Sequence, residues 1–292
     1  MQSLRESNQT LTVTKILLAG DIHGSIPHIR YLFDVANKEE CDGLIALGDF
    51  GFWTHTKKGT DFLALCRRLI DASGIFLWWL DGNHESFDNL YELYPLDDEG
   101  VRPMYPSHHW KGPKDRENFV WPVHNPFVHL PRGYVWEWNG VRFCSFGGAY
   151  SIDKDWRLQM EGRRSGIEGT RTLWWPQERI TQGELIAFTQ QSIDPRIDVF
   201  LSHDCPTGVD IPTLRTSPFG PFPESDANRE ALKVVVDHAR PRVLIHGHYH
   251  DYYESTYEGP DFDTVVIGLD CDGTGKRSWR TLNLTLKENL WS

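Results

Sequence analysis

Five apolar runs in this chain each end in a short block of metal-ligating residue types. Ile16-Leu17-Leu18-Ala19 leads into Asp21-Ile22-His23, Leu44-Ile45-Ala46-Leu47 into Gly48-Asp49, and Ile75 to Leu80 into Gly82-Asn83-His84-Glu85. Val199-Phe200-Leu201 leads into Ser202-His203-Asp204, and Val243-Leu244-Ile245 into Gly247-His248-Tyr249-His250. Short continuous apolar runs of this kind read as buried strands. An α/β sheet places its site beyond the carboxyl ends of its strands, so five such ends can bring distant residues to one crevice.

Helical periodicity fills the gaps between the first three runs. Ser25 is a capping residue with Pro27 in the first turn and Ile29, Leu32, Phe33 and Ala36 on one face. Thr60 is read as the cap of a second helix, with Phe62, Leu65, Cys66, Leu69 and Ile70 as its stripe and Gly74 past its end. Glu85 to Tyr94 reads as a third, short helix. The resulting β-α-β-α-β-α order argues for parallel strands with helical crossovers. Residues 95 to 131 are proline-rich and aperiodic and read as an excursion. Leu130–Trp138 and Val141–Phe146 read as a hairpin closed by Asn139-Gly140. Residues 150 to 175 read as a second, polar insertion. A helix is expected over Pro176–Gln191, a proline-rich loop over 206 to 223, and a helix capped by Ser225 or Asp226 up to His238. Further strands are expected at 264–269 and 280–286. The domain reading is a polar extension over 1–14 and one domain over 15–292, with insertions around 95–131 and 150–175.

Composition narrows the partners. The net charge of the 292 residues is −11. Affinity for long nucleic acid usually rests on basic residues that neutralise phosphates, so this balance disfavours such a partner. A local basic cluster, Arg157, Arg163, Arg164 and Arg171, runs against that trend. No apolar run approaches the roughly 20 residues that span a bilayer, which gives no membrane partner. The first 14 residues lack the apolar core of a secretory signal, and the five cysteines show no CxxC pair. Buried free thiols in a reducing cytoplasm are the expectation.

Gathering Asp21, Asp49, His23, His203, His248 and His250 in one partly buried pocket raises a charge problem. Uncompensated carboxylates there cost several kcal/mol each. Divalent cations remove that cost, and mixed Asp/His ligation suits manganese, placed first, or iron, zinc, nickel or cobalt. The absence of cysteine ligands argues against structural zinc. Two ions fit better than one. Asp21 and His23 stand at i and i+2, as do His248 and His250. Asp49 is a lone carboxylate suited to bridging, and Asn83 offers an amide oxygen. Two ions about 3.5–4 Å apart can clamp the attacking and leaving oxygens of an in-line displacement, with a bridging water acidified toward ~7. The glycines flanking these blocks, among them Gly20, Gly24, Gly48, Gly51, Gly82 and Gly247, permit tight turns with φ > 0.

The ordered series D-x-H, G-D, G-N-H-E, H, G-H-x-H over residues 15 to 250 resembles the calcineurin-like metallophosphoesterase superfamily. The resemblance implies a four-layer α-β-β-α sandwich, with mixed sheets flanked by helices. It implies that one metal takes Asp21, His23, Asp49 and His250 and the second takes Asp49, Asn83, His203 and His248. His84 would then contact the phosphate or protonate the leaving oxygen, a role that suits an imidazole near neutral pH. The implied activity is hydrolysis of phosphate esters by a metal-bridged hydroxide. The chain departs from the Ser/Thr protein phosphatase branch, which has G-D-x-V-D-R-G and R-G-N-H-E. Phe52 and Trp53 stand in place of Asp and Arg, and Asp81 in place of Arg. Two phosphate-gripping arginines and the acid that would orient the histidine are therefore absent at these positions.

Tyr150 and Arg157, after Gly147-Gly148-Ala149, are the residues chosen to supply that grip; Arg holds phosphate oxygens bidentately. Trp53, beside the Asp49 block, is expected to line the pocket. Trp78, Trp79 and Trp174 are read as packing rather than base-stacking residues. His246 faces the other side of its strand, and His108, His109, His124 and His129 lack partner spacing. Asp204 is expected to orient His203 or a neighbour, or to cap its loop. The expected substrate is a phosphorylated small molecule, a nucleotide or a phosphoprotein. The alternatives are a nuclease or nucleotide phosphodiesterase on the same fold, which steep salt dependence would reveal, and a non-catalytic interaction scaffold, which metal content with turnover would exclude.

Overall fold

The computed structural model describes residues 13–92, 126–164, 173–216 and 222–285. Two sheets lie face to face. The first combines β1 (Lys15–Ala19), β2 (Gly43–Ala46), β3 (Phe76–Trp79), β4 (Phe127–His129) and β11 (Trp279–Asn283), in the order β11-β1-β2-β3-β4. The second combines β5 (Tyr134–Trp138), β6 (Val141–Phe146), β7 (Val199–Ser202), β8 (Val243–His246), β9 (Tyr253–Glu258) and β10 (Asp263–Gly268), in the order β5-β6-β7-β8-β10-β9. Strands β1 to β4 pair in parallel, as do β6-β7-β8-β10; β11, β5 and β9 run antiparallel at the edges.

Period-two alternation sorts each apolar run between two cores. Ile16, Leu18, Ile45, Leu47, Trp78 and Leu80 point between the sheets, against Phe143, Val199, Leu201, Val243, Ile245 and Ile267. Leu17, Ala19, Leu44, Ala46, Leu77 and Trp79 point outward, under α1 (Ile26–Lys38) and α2 (Lys57–Ser73). On the far side Phe200, Leu244 and Val266 meet Phe188 of α5 (Gln182–Thr189) and Leu232, Val235 and Val236 of α7 (Pro223–Ala239). These are the expected four layers. Trp78 packs on Trp138 and Trp79 stacks on Phe50, both inside cores.

Several boundaries differ from the sequence reading. The second helix starts four residues early, because Thr56 rather than Thr60 is its cap and accepts the Gly59 N–H. Thr60 sits inside the helix and bonds back to the Thr56 and Lys57 carbonyls. The third helix, α3, begins at Phe87, two residues later than expected, and is described to Glu92. The expected helix over 176–191 divides into a 3-10 turn (Pro176–Glu178) and α5, which a Thr181/Glu184 capping box starts afresh. The polar segment from 150 contains α4 (Lys154–Arg164), and the loop from 206 contains the short α6 (Pro212–Thr216). Helix α7 begins at Pro223, with no side-chain cap from Ser225 or Asp226. Strand β9 has no counterpart in the sequence reading, β4 lies in the stretch read as an aperiodic excursion, and the hairpin strand expected from Leu130 begins at Tyr134. Most of 95–131, with His108, His109 and His124, lies outside the described residues. So do Arg171 and the side chains of Arg163 and Arg164.

Candidate metal centre

All five blocks meet at one end of the two sheets, just past β1, β2, β3, β7 and β8. Two compact donor clusters form there: Asp21, His23 and His250, and Asp21, Asp49 and His203. Within each, the ligand atoms lie within 4.8 Å of one another. Asp21 Oδ2 is 3.0 Å from His250 Nε2 and 3.7 Å from His23 Nε2. Asp49 Oδ2 is 3.5 Å from His23 Nε2, and Asp49 Oδ1 is 3.5 Å from His203 Nε2. Asn83 Oδ1 lies 3.1 Å from the same His203 nitrogen. The His248 ring packs edge-on to His203 at 4.9 Å, and its backbone N–H donates to Asp21 Oδ1.

Backbone strain accompanies this convergence. His23, Asp49, His248 and His250 all adopt positive φ, at 51°, 42°, 71° and 50°. A non-glycine residue in that region costs about 1–3 kcal/mol and persists only where its surroundings enforce it. The sequence reading assigned this freedom to the neighbouring glycines, and Gly24, Gly48 and Gly51 do adopt it, at 60°, 96° and 105°. At Gly82 and Gly247 the requirement is space instead: a Cβ would collide with Asp49 Oδ1 and Asp21 Oδ1, respectively.

Electrostatics follow from burial. Burial alone would raise the Asp21 and Asp49 carboxyls. The facing imidazoles outweigh it: His203 and His250 hold Asp21 below the ordinary range, and His84, His203 and His23 hold Asp49 well below it. Against the downward pull of burial, Asp49, Asp21 and Asp272 raise His23 to about 10. Burial pushes His248 down to about 4, leaving it a neutral imidazole. Ion-free, the pocket therefore holds protons where cations would sit. Hard carboxylate and amide oxygens mixed with neutral imidazoles make a donor set that fits borderline divalent cations.

Outer contacts orient these groups. His203 Nδ1–H donates to the Leu47 carbonyl at 2.8 Å, which turns Nε2 toward Asn83 Oδ1 and Asp49 Oδ1. Asp204 does not bond His203; it serves its other expected roles, accepting from the Tyr249 hydroxyl beside His248 and from the Cys205 N–H of its own loop, and it also accepts from Asn228 Nδ2. Asp272 lies 3.0 Å from His23 Nδ1. Glu85 is fully buried, accepts from the Phe50 and Phe52 N–H groups, and is pushed by burial up to about 8. Apart from the Cys205 N–H bond to Asp204, these second contacts carry no local sequence signal, because each joins residues far apart in the chain.

His84 sits at the mouth. Burial and the adjacent Arg157 hold its pKa below the ordinary value, although Asp49 opposes them. Arg157, 5% exposed, places Nη2 2.7 Å and 2.9 Å from the His84 ring nitrogens. Asp153 and the Leu173 carbonyl hold that guanidinium. Trp53 donates its indole N–H to the His84 carbonyl and carries Lys58 over its ring. Tyr150 is buried beside Lys154 and Arg179, one residue before Ser151. Asp81, in place of an arginine, turns away from the pocket, and Arg132 and His129 pair with its carboxylate. Neither Arg132 nor a partner for His129 is signalled by the sequence.

The sequence pattern of calcineurin-like phosphoesterases matches residues 14–252. The chain belongs to that family. The family consists of metal-dependent phosphoric ester hydrolases, and the clustered donors are consistent with divalent cations. The chain is 32% identical over 148 residues to the serine/threonine-protein phosphatase 4 catalytic subunit of Eremothecium gossypii, covering 50% of this chain and 42% of that one. It is 32% identical over 111 residues to the same subunit of Saccharomyces cerevisiae, covering 37% and 34%. The chain thus spans less than half the length of these curated relatives. Among solved structures, a dimetal phosphatase from Danio rerio aligns with TM-score 0.49 and 13% identity over 94% of this chain and 93% of that one. The protein TT1561 of Thermus thermophilus aligns with TM-score 0.47 and 13% identity over 94% and 100%. Among the described residues no helix is long and apolar enough to cross a membrane.

Proposed function

We propose that this family member hydrolyses phosphate esters at a two-ion centre shared through Asp49. One ion would be held by Asp21, His23, Asp49 and His250, the other by Asp49, Asn83, His203 and His248. The observation that carries this reading is the orientation of Asp49. Its Oδ2 faces His23, and its Oδ1 faces the His203 nitrogen that also faces Asn83. Asp21 also approaches His203, but at 3.9 Å and on Nδ1, the nitrogen already committed to Leu47. That favours Asp49 over Asp21 as the shared ligand.

Bound divalent ions, manganese first, would polarise phosphoryl oxygens and acidify water toward ~7. The chain's own groups do the rest. Arg157 grips the phosphate in place of the absent arginines, by charge-assisted bonds that suit a dianion. His84, neutral at pH 7, offers one ring N–H to a phosphoryl or leaving oxygen. The negative charge of a bound ester raises its proton affinity, so it can take up and pass on a proton there. Trp53, which donates to the His84 carbonyl, walls the entrance. The buried Asp81–Arg132 pair explains how an acid next to the Gly82 block avoids repelling an anion. Residues 15–292 act as one unit on a phosphorylated small molecule, nucleotide or phosphoprotein in the cytoplasm.

The test is a panel of phosphate mono- and diesters after chelator treatment, with Mn, Zn, Ni, Fe or Mg restored singly. Turnover that returns with a transition metal supports the reading. No turnover with any metal, on protein shown to bind them, refutes it.

A further inference from the structure

The Asn83 side chain has an acceptor end and a donor end, and only the acceptor can ligate a cation. Its Oδ1 faces His203 Nε2, while its Nδ2 donates to Ser151 Oγ at 3.0 Å. The Ser151 hydroxyl donates onward to Glu178 Oε2 at 2.7 Å. Glu178 Oε1 accepts from the Ser151 backbone N–H at 2.8 Å and from Trp174 Nε1–H at 2.9 Å. Asn83, Ser151 and Glu178 are all buried, with Glu178 at 0% exposure.

We propose that Glu178 is a positioning residue which, through Ser151, decides which end of the Asn83 amide faces the metal pocket. The proposal rests on the reading of Asn83 as a ligand. The direction of donation carries it. A carboxylate only accepts, and three donors converge on this one. Ser151 gives its single hydroxyl proton to Glu178, which leaves its oxygen lone pairs for Asn83. Only Nδ2 can use them, so Oδ1 is turned toward the pocket.

A glutamine at this position reverses the relay. Its carbonyl oxygen must serve the two N–H donors on the Oε1 side, so its NH2 faces Ser151 Oγ. The hydroxyl then accepts that bond and turns its own proton toward Asn83. The Asn83 amide answers by flipping, which presents Nδ2 donors where a cation would sit. The fold needs no change, yet one metal position loses a ligand.

The experiment titrates Mn2+ into chelator-treated protein by calorimetry at mildly alkaline pH. The unaltered chain should take up two ions. Glu178→Gln should leave one site at its original affinity and weaken the other about 10–100-fold, the usual effect of removing an outer-shell partner. Ser151→Ala, which deletes the relay atom, should weaken the same site. Added to Asn83→Ala, Glu178→Gln should cause no further loss, an equality that a general packing role would not produce. Wild-type affinity at both sites in Glu178→Gln, or equal weakening of both, overturns the proposal. If Glu178→Gln does not fold, Ser151→Ala decides alone by the same criterion. Fewer than two ions on the unaltered chain refutes the dinuclear reading itself, a result distinguishable from failure of the relay.

Discussion

The backbone N–H of His84 donates to Asp49 Oδ1 at 2.9 Å, and Asp49 Oδ2 lies 3.7 Å from His84 Nε2. The loop after β3 thus hangs the imidazole proposed to act on the substrate on the carboxylate proposed to join both ions. This divides two variants cleanly. Asp49→Asn should abolish turnover and reduce bound metal. His84→Asn should keep its metal yet slow hydrolysis by roughly 10²–10⁴. Metal analysis beside initial rates checks both, and a His84 variant that loses its ions contradicts the assigned role.

Arg157 should matter mainly for substrate capture. A charge-assisted bond to a buried partner is worth about 1.5–3 kcal/mol, so Arg157→Gln should raise KM for a phosphomonoester by about 10–100-fold. Removing this positive charge should also raise the His84 pKa, since Arg157 holds it down. The acid limb of kcat/KM should therefore shift to higher pH. An unchanged KM would remove Arg157 from the phosphate grip.

Asp272 approaches His23 on the ring nitrogen opposite the pocket. It holds the ring so that Nε2 is directed at Asp21 and Asp49. Asp272→Asn should weaken one ion about 10–100-fold, at the His23 site rather than the Asn83 site. Competition between Mn2+ and a chelator measures it, and wild-type affinity would count against the contact.

Ion-free His23 binds its proton up to about 10, and His203 and His250 also sit above the ordinary imidazole value. For His23 and His203 burial opposes the rise and the acids Asp49 and Asp21 win; for His250 the bond to Asp21 leads. A cation must displace these protons. Metal affinity should therefore rise with pH, most steeply below the His23 value, and binding should release protons. Calorimetry in buffers of different ionisation enthalpy reads the number released. Affinity independent of pH would contradict the charge balance described for the pocket.

The strand-end blocks were legible because each ligand type adjoins an apolar run, and period-two alternation then dictates two cores around two sheets. The surrounding contacts were not. Ser151, Glu178, Arg132 and Asp272 act across 27 to 249 positions, and nothing in their own neighbourhoods separates them from ordinary loop residues. Helix α4 was hidden because Lys154, Asp155, Arg157, Gln159 and Glu161 blur its apolar stripe, while Trp156 and Leu158 face outward. Strand β9 was hidden because it is an edge, where charged Glu254 and Glu258 interrupt the apolar pattern. Asp81 was the least legible: nothing near it in the chain signals that Arg132, 51 positions away, pairs with its carboxylate.

The most direct measurement is a crystal structure of the manganese-loaded chain with anomalous scattering. The account predicts two peaks about 3.5–4 Å apart, with one Asp49 oxygen on each or one oxygen between them, and Asn83 Oδ1 on the peak nearer His203. A single peak, or two peaks with Asp49 bound to only one, would contradict it.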